Sequence, residues 1–270
     1  MIYDQSVDRS EEGSIDTRYG PVSYAETGKG PVRLVLHSLL TDRTAFDDVT
    51  GELGGRFIAM DLPGFGSTTH ALPSIDEHAH RVASFIEAKR LDQEELTLMG
   101  NGLGAFVALG TTIHHGELVD RLILVGCGAG FPDPAKTAFT NMIEAVENGG
   151  MEAVIPIALR RIFTESYLQT HPEMGEARAA VLRKTDPEAF VSACRALHTL
   201  NYRSLATTVT APTLIVVGEE DQATPPRLAE ELHGLIEDST LVTLPGVAHA
   251  PQIQDPGGFV GAIRPFLEER

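Results

Sequence analysis

Short apolar runs recur along this 270-residue chain, each followed by a turn and an amphipathic stretch. That alternation is the strongest constraint on its fold. Val32-Arg33-Leu34-Val35-Leu36, Arg56-Phe57-Ile58-Ala59-Met60, Leu96-Thr97-Leu98-Met99 and Leu122-Ile123-Leu124-Val125 read as strands. So do Pro212-Thr213-Leu214-Ile215-Val216-Val217 and Thr240-Leu241-Val242-Thr243-Leu244. Runs this short and this apolar are typical of strands covered on both faces, as in a mainly parallel sheet flanked by helices. Between them, residues 74–89 place Ile75, Val82, Phe85 and Ile86 on one helical face behind a capping Ser74. A second helix runs through Phe106, Val107 and Leu109. The expectation is an α/β fold.

Between about Phe131 and Ala206 the pattern becomes helical only, with helices expected at 138–148, 151–162, 174–184 and 187–197. Pro187 suits the first turn of the last one. The predicted organisation is a core (1–130), a helical insertion (131–206) and the rest of the core (207–270), with 1–13 as a polar tail. An insertion over the carboxyl ends of a parallel sheet sits where ligands bind in such folds, so it reads as a cap.

Met99-Gly100-Asn101-Gly102-Leu103-Gly104 lies at a strand-to-helix turn. Acyl-transfer nucleophiles are held on such turns, in the middle of a small-any-nucleophile-any-small run. The flanking Gly100 and Gly104 fit, and Leu103 N–H is placed to serve an oxyanion. The central position, Gly102, has no side chain. The run lacks the glycine spacing of a dinucleotide turn, and no Gly-Lys-Ser/Thr follows it. Downstream, Asp221 follows one strand and His249 follows the last. A nucleophile, acid, histidine order in the chain makes them the second and third members of a triad. His37-Ser38-Leu39-Leu40-Thr41-Asp42 follows an early strand, and Leu39 N–H is the second expected oxyanion donor. Ser38 is weighed as a substitute nucleophile and set aside, because the sequence places no base beside it.

With these motifs in place, the chain resembles the α/β-hydrolase superfamily along nearly its whole length. Asp61-Leu62-Pro63-Gly64-Phe65-Gly66-Ser67 is similar to its strand-turn signature, and the elbow matches apart from the serine. Ser38-Leu39-Leu40-Thr41-Asp42, Phe163-Thr164-Glu165-Ser166-Tyr167 and Thr185-Asp186-Pro187-Glu188-Ala189-Phe190 resemble the 3-oxoadipate enol-lactonase group. The oxyanion run departs from that group at Leu40, where it has a glycine. The resemblance implies hydrolysis of a small ester or lactone without metal or organic cofactor. With Gly102 at the nucleophile position, this form is expected to be inactive or very slow. Replacement of a serine by design and natural loss both remain open as its origin. Two other functions compete: ligand binding alone, and non-hydrolytic acid–base chemistry by the Asp221–His249 pair, as in a lyase, cyclase or cofactor-free oxygenase.

Ser38, Phe131, Met142, Phe163, His198 and Tyr202 are candidate pocket residues. His78 and His80, two apart on one helix, do not share a face and make a poor metal pair. His114 and His115 suit a helix carboxyl end, and Cys127 reads as a small buried hydrophobe. A net charge of −17 disfavours nucleic acid and anionic membrane. No apolar run reaches the ~20 residues of a membrane helix. The polar, acidic start and two scattered cysteines fit a cytoplasmic protein, monomeric or homodimeric.

Overall fold

A computed structural model describes residues 11–269. One eight-stranded sheet organises the described residues, in the order β1-β2-β4-β3-β5-β6-β7-β8. The strands are β1 (Glu11–Thr17), β2 (Gly20–Lys29), β3 (Val32–Leu36), β4 (Gly55–Met60), β5 (Leu96–Asn101), β6 (Arg121–Val125), β7 (Thr213–Gly218) and β8 (Ser239–Leu244). From β4 to β8 neighbouring strands pair parallel, whereas β1–β2 and β2–β4 are antiparallel. This is the α/β fold expected from the alternation, in the α/β-hydrolase form that the resemblance implied. Strands β3, β5 and β7 are buried along their full length, which is why they stand out as apolar runs.

β1 and β2 were not anticipated. Their residues are mostly exposed or half-buried, so they carry no apolar run. Tertiary contacts hold them instead: Tyr24 packs edge-on against Phe85, with ring centroids 5.6 Å apart. Glu11, Glu12 and Gly13, expected in the tail, therefore belong to β1. Residues 1–10 of that tail lie outside the described residues.

The helices are α1 (Asp47–Leu53), α2 (Ile75–Ala88), α3 (Leu103–His114), α4 (Asp133–Ile162), α5 (Glu165–Thr170), α6 (Pro172–Lys184), α7 (Pro187–Thr199), α8 (Pro226–His233), α9 (Pro251–Gln254) and α10 (Pro256–Glu268). Ser74 Oγ accepts from Glu77 N–H and caps α2. Asp186 caps α7 through Ala189 N–H. Helices α4 to α7 fall between β6 and β7, as one insertion. The two helices expected at 138–148 and 151–162 are the two arms of α4. They meet at Gly150, whose φ of 65° and ψ of −167° break the helix.

Candidate active site

Three glycines shape the elbow between β5 and α3. Gly102 has φ 52° and ψ −118°, a conformation that strains any residue with a side chain. A Cβ on Gly100 would run into the Gly104 carbonyl, and one on Gly104 into the carbonyl of Leu36. Strand and helix can approach this closely only because both positions lack side chains. Gly102 N–H donates to Val125 O at 2.9 Å and Gly104 N–H to His37 O at 3.0 Å. These bonds tie the turn to β6 on one side and to the loop after β3 on the other.

Asp221 follows β7 and His249 follows β8, and the parallel register brings them together. His249 Nδ1 lies 2.8 Å from Asp221 Oδ2. Asp221 Oδ1 accepts from the N–H groups of Ala223 and Thr224, at 2.8 and 2.9 Å. Thr224 Oγ1 donates to Oδ2 at 2.7 Å. Donors from the protein thus hold the carboxylate in place, and the carboxylate keeps the proton of His249 on Nδ1. Nε2 is left facing Gly102. His249 is anchored through its backbone as well: its N–H donates to Ile162 O (3.1 Å), and its carbonyl accepts from Asn101 Nδ2 (2.9 Å). Gln252 Nε2 donates to Asn101 Oδ1 at 3.1 Å and holds that amide. Asn101 occupies a position at which the elbow pattern allows any residue, so the sequence offered no signal for it.

A small cavity of about 30 Å³ opens above this pair. Ser38, Leu39, Gly102, Leu103, Phe131, Met142 and His249, all singled out in the sequence, are on its wall. The backbone N–H groups of Leu39 and Leu103 find no acceptor among the described residues, and both residues line the cavity. Asp221 stands behind His249. The other expected pocket residues are elsewhere. Phe163 is buried and packs on Tyr167 at 5.0 Å between ring centroids. Tyr202 donates from its hydroxyl to Asp76 Oδ1 at 2.5 Å, behind α3 rather than over the site. His198 sits toward the exposed Asp133 at the start of α4. An aromatic or histidine near the end of a helical insertion gives no sign of which side it faces, and packing decides.

The sequence missed Phe106, Phe139, Leu197, Thr224 and Arg161, all on the wall. Arg161 is the most informative. Its guanidinium reaches only the Ala223 carbonyl, at 3.4 Å, and has no carboxylate within ion-pair distance among the described residues. Burial pulls its pKa down, and the field of Asp221 partly opposes this. A partly buried cation without an ion-pair partner is unusual, and the cavity is what it faces.

Ser38 also differs from expectation. Its Oγ lies 3.5 Å from His249 Nε2, so the base that the sequence did not place beside it is supplied by the loop after β8. His37 fixes this loop. Its Nδ1 donates to Ser38 O at 2.8 Å, and its Nε2 accepts from Leu62 N–H at 3.1 Å. Burial keeps this imidazole neutral, with its pKa held below the usual histidine value. Cys127 is buried with its thiol pKa pushed up, which makes a poor nucleophile. Among the described residues no cluster of three or more His, Cys, Asp or Glu could hold a metal ion. None of their helices is long and apolar enough to cross a membrane.

The fold and this site define a class of protein, and comparison with known sequences agrees. The alpha/beta hydrolase family model matches residues 34–262, and the chain belongs to that family. It is 28% identical over 248 residues to a pimeloyl-[acyl-carrier protein] methyl ester esterase of Neisseria meningitidis, covering 87% of this chain and 92% of the relative. A 2-hydroxy-6-oxo-6-(2'-aminophenyl)hexa-2,4-dienoic acid hydrolase of Metapseudomonas resinovorans is 27% identical, covering 96% of this chain and 89% of that one. Among solved structures, a thermophilic esterase of Thermogutta terrifontis, with malate bound, superposes at a TM-score of 0.84 and 25% identity. That match covers 95% of this chain and 98% of the esterase. The enol-lactonase of Burkholderia xenovorans shares the fold at a TM-score of 0.89 and 21% identity, over 95% and 100% of the two chains.

Proposed function

We propose that the chain hydrolyses a small carboxylic ester or lactone held between the core and the inserted helices, which act as its cap. The observation that carries this is the buried Asp221–His249 pair, with Nε2 turned toward the elbow and two unused N–H groups on the same cavity wall. Asp221 orients His249, and His249 takes a proton from the attacking group and returns it to the leaving alkoxide. The N–H groups of Leu39 and Leu103 hold the developing oxyanion. Gly102 cannot attack, so the elbow itself forms no acyl-enzyme. The simplest route is then His249 drawing a proton from a water, and it is slow: loss of a triad nucleophile costs on the order of 10⁶ in turnover. Arg161 favours a substrate that carries a carboxylate or similar anionic group beside the scissile bond.

A panel of short esters and lactones tests this, assayed with the parent chain and with His249→Ala. Turnover of at least one panel member is expected, and its loss in the variant with ligand binding retained. Turnover unaffected by His249→Ala rules the proposal out. Binding with no turnover in either form points to a protein that has kept only the pocket.

A further inference from the structure

The hydroxyl of Ser38 is buried, with the residue only 1% exposed. Its one hydrogen-bond partner among the described residues is His249 Nε2, the base of the proposed reaction. A buried hydroxyl normally finds a partner that suits its structural surroundings. Here the partner is the atom that would accept a proton from a nucleophile. The space involved is also the one an elbow side chain would need. A Cβ on Gly102 would lie 2.5 Å from Ser38 Oγ and 2.6 Å from His249 Nε2. Ser38 in its present rotamer and a side chain at position 102 therefore exclude each other. The backbone of Ser38 is held firmly: its N–H donates to Thr41 Oγ1 at 3.1 Å, and its carbonyl accepts from His37 Nδ1 and from Thr41 N–H. This hydroxyl is preorganised against the base, on the cavity wall and next in sequence to Leu39 N–H.

We infer that Ser38 takes the place of the missing elbow residue as the nucleophile. The inference rests on the hydrolase proposal above. Ser38 Oγ forms a bond to the carbonyl carbon of the ester while its proton passes to His249 Nε2. The oxyanion collapses, the bond to the leaving oxygen breaks, and that oxygen takes the proton from Nε2. Water then attacks the Ser38 ester, giving its proton to Nε2. Ser38 Oγ leaves as the proton returns to it, and a carboxylic acid is released. Asp221, Thr224 and the N–H of Ala223 hold the imidazole system through both halves. The contact of 3.5 Å is long for a hydrogen bond, and such bonds commonly tighten when substrate is bound.

The test is covalent labelling of the unmodified chain with a fluorophosphonate, followed by peptide mapping. The adduct is expected on Ser38, absent in Ser38→Ala and formed at least 100-fold more slowly in His249→Ala. Ser38→Cys guards against a folding artefact: with a p-nitrophenyl ester it should accumulate a thioester whose mass maps to position 38. Label at another residue, or none at Ser38 in a chain that hydrolyses the ester, overturns the inference. Ester turnover that persists in Ser38→Ala but vanishes in His249→Ala also overturns it, while leaving the hydrolase proposal standing with water as the attacking group. A parent chain that neither labels nor hydrolyses any panel ester removes both.

Discussion

Position 102 shows how much one residue can hide and reveal. Glycine there is conformationally cheap, since it populates φ of +52° without the roughly 1–3 kcal/mol that a side chain would cost. Gly102→Ser would put a hydroxyl at the elbow, but only if Ser38 and His249 yield the space they hold. We expect Gly102→Ser to raise ester turnover, with about 10⁶ as the ceiling for an elbow nucleophile less whatever Ser38 already supplies. The double variant Gly102→Ser with Ser38→Ala should exceed the single one, because the competing hydroxyl is gone. Steady-state kinetics of the two variants settle this, and a double variant slower than Gly102→Ser would refute the steric account. Arg161 carries a second residue-scale prediction. Arg161→Met should raise KM for carboxylate-bearing esters by roughly tenfold or more, corresponding to about 1.4 kcal/mol or more. It should leave neutral esters nearly unchanged, and equal effects on both would show that Arg161 only packs the wall.

Among the elements, α2, α3 and the end of the insertion are joined by polar contacts around one carboxylate. Asp76 near the start of α2 accepts from Tyr202 and lies 2.9 Å from His114 Nε2 at the end of α3. His80 and His115 sit beside them, with Nδ1 and Nε2 2.8 Å apart. This is a fastening, remote from the cavity. Tyr202→Phe should therefore lower stability by about 1 kcal/mol, discounted because Asp76 is half exposed. The corresponding Tm drop is about 2–4 °C, with KM unchanged. Differential scanning calorimetry beside an ester assay separates the outcomes, and a KM shift with no change in Tm would return Tyr202 to the pocket. The burial of β3, β5 and β7 made these strands legible as apolar runs, whereas β1 and β2 are half in solvent and were not. Motif order placed Asp221, His249 and Leu39, but the elbow pattern leaves Asn101 free. The orientation of Arg161, on an insertion with two adjacent arginines, is set by packing alone.

Across the whole molecule, stability should depend on buried imidazoles that the fold keeps neutral. His78 on α2 is buried, with neither ring nitrogen partnered among the described residues. Burial, with His37 and the Arg81 cation nearby adding to it, pushes its pKa down to about 3 from the ordinary 6.5. The unfolded chain takes up that proton below about 6.5, while the folded chain resists it until about 3. The stability tied to His78 is thus whole above about 6.5 and is lost as pH falls across this window, by up to about 1.4 kcal/mol per pH unit. His37 acts in the same direction. The carboxylates of Glu26 and Asp76, whose pKa values are lowered, add to the loss only below about 4.5. Urea unfolding of the parent and of His78→Leu at pH 7.5, 5.5 and 4.5 should show a flatter profile for the variant, and identical slopes would refute the assignment. By itself the sequence determined the parallel core, the inserted helices, the strand-to-helix turn at Gly102 and the loops that carry Asp221 and His249. Each of these depends on residue type and short-range spacing, which one dimension records. Only the tertiary structure decided that Ser38 faces His249 Nε2, that Arg161 faces the cavity, and that Tyr202 and Phe163 do not. Those contacts join loops and helices far apart in the chain, and the packing of the insertion on the core selects which side chains meet.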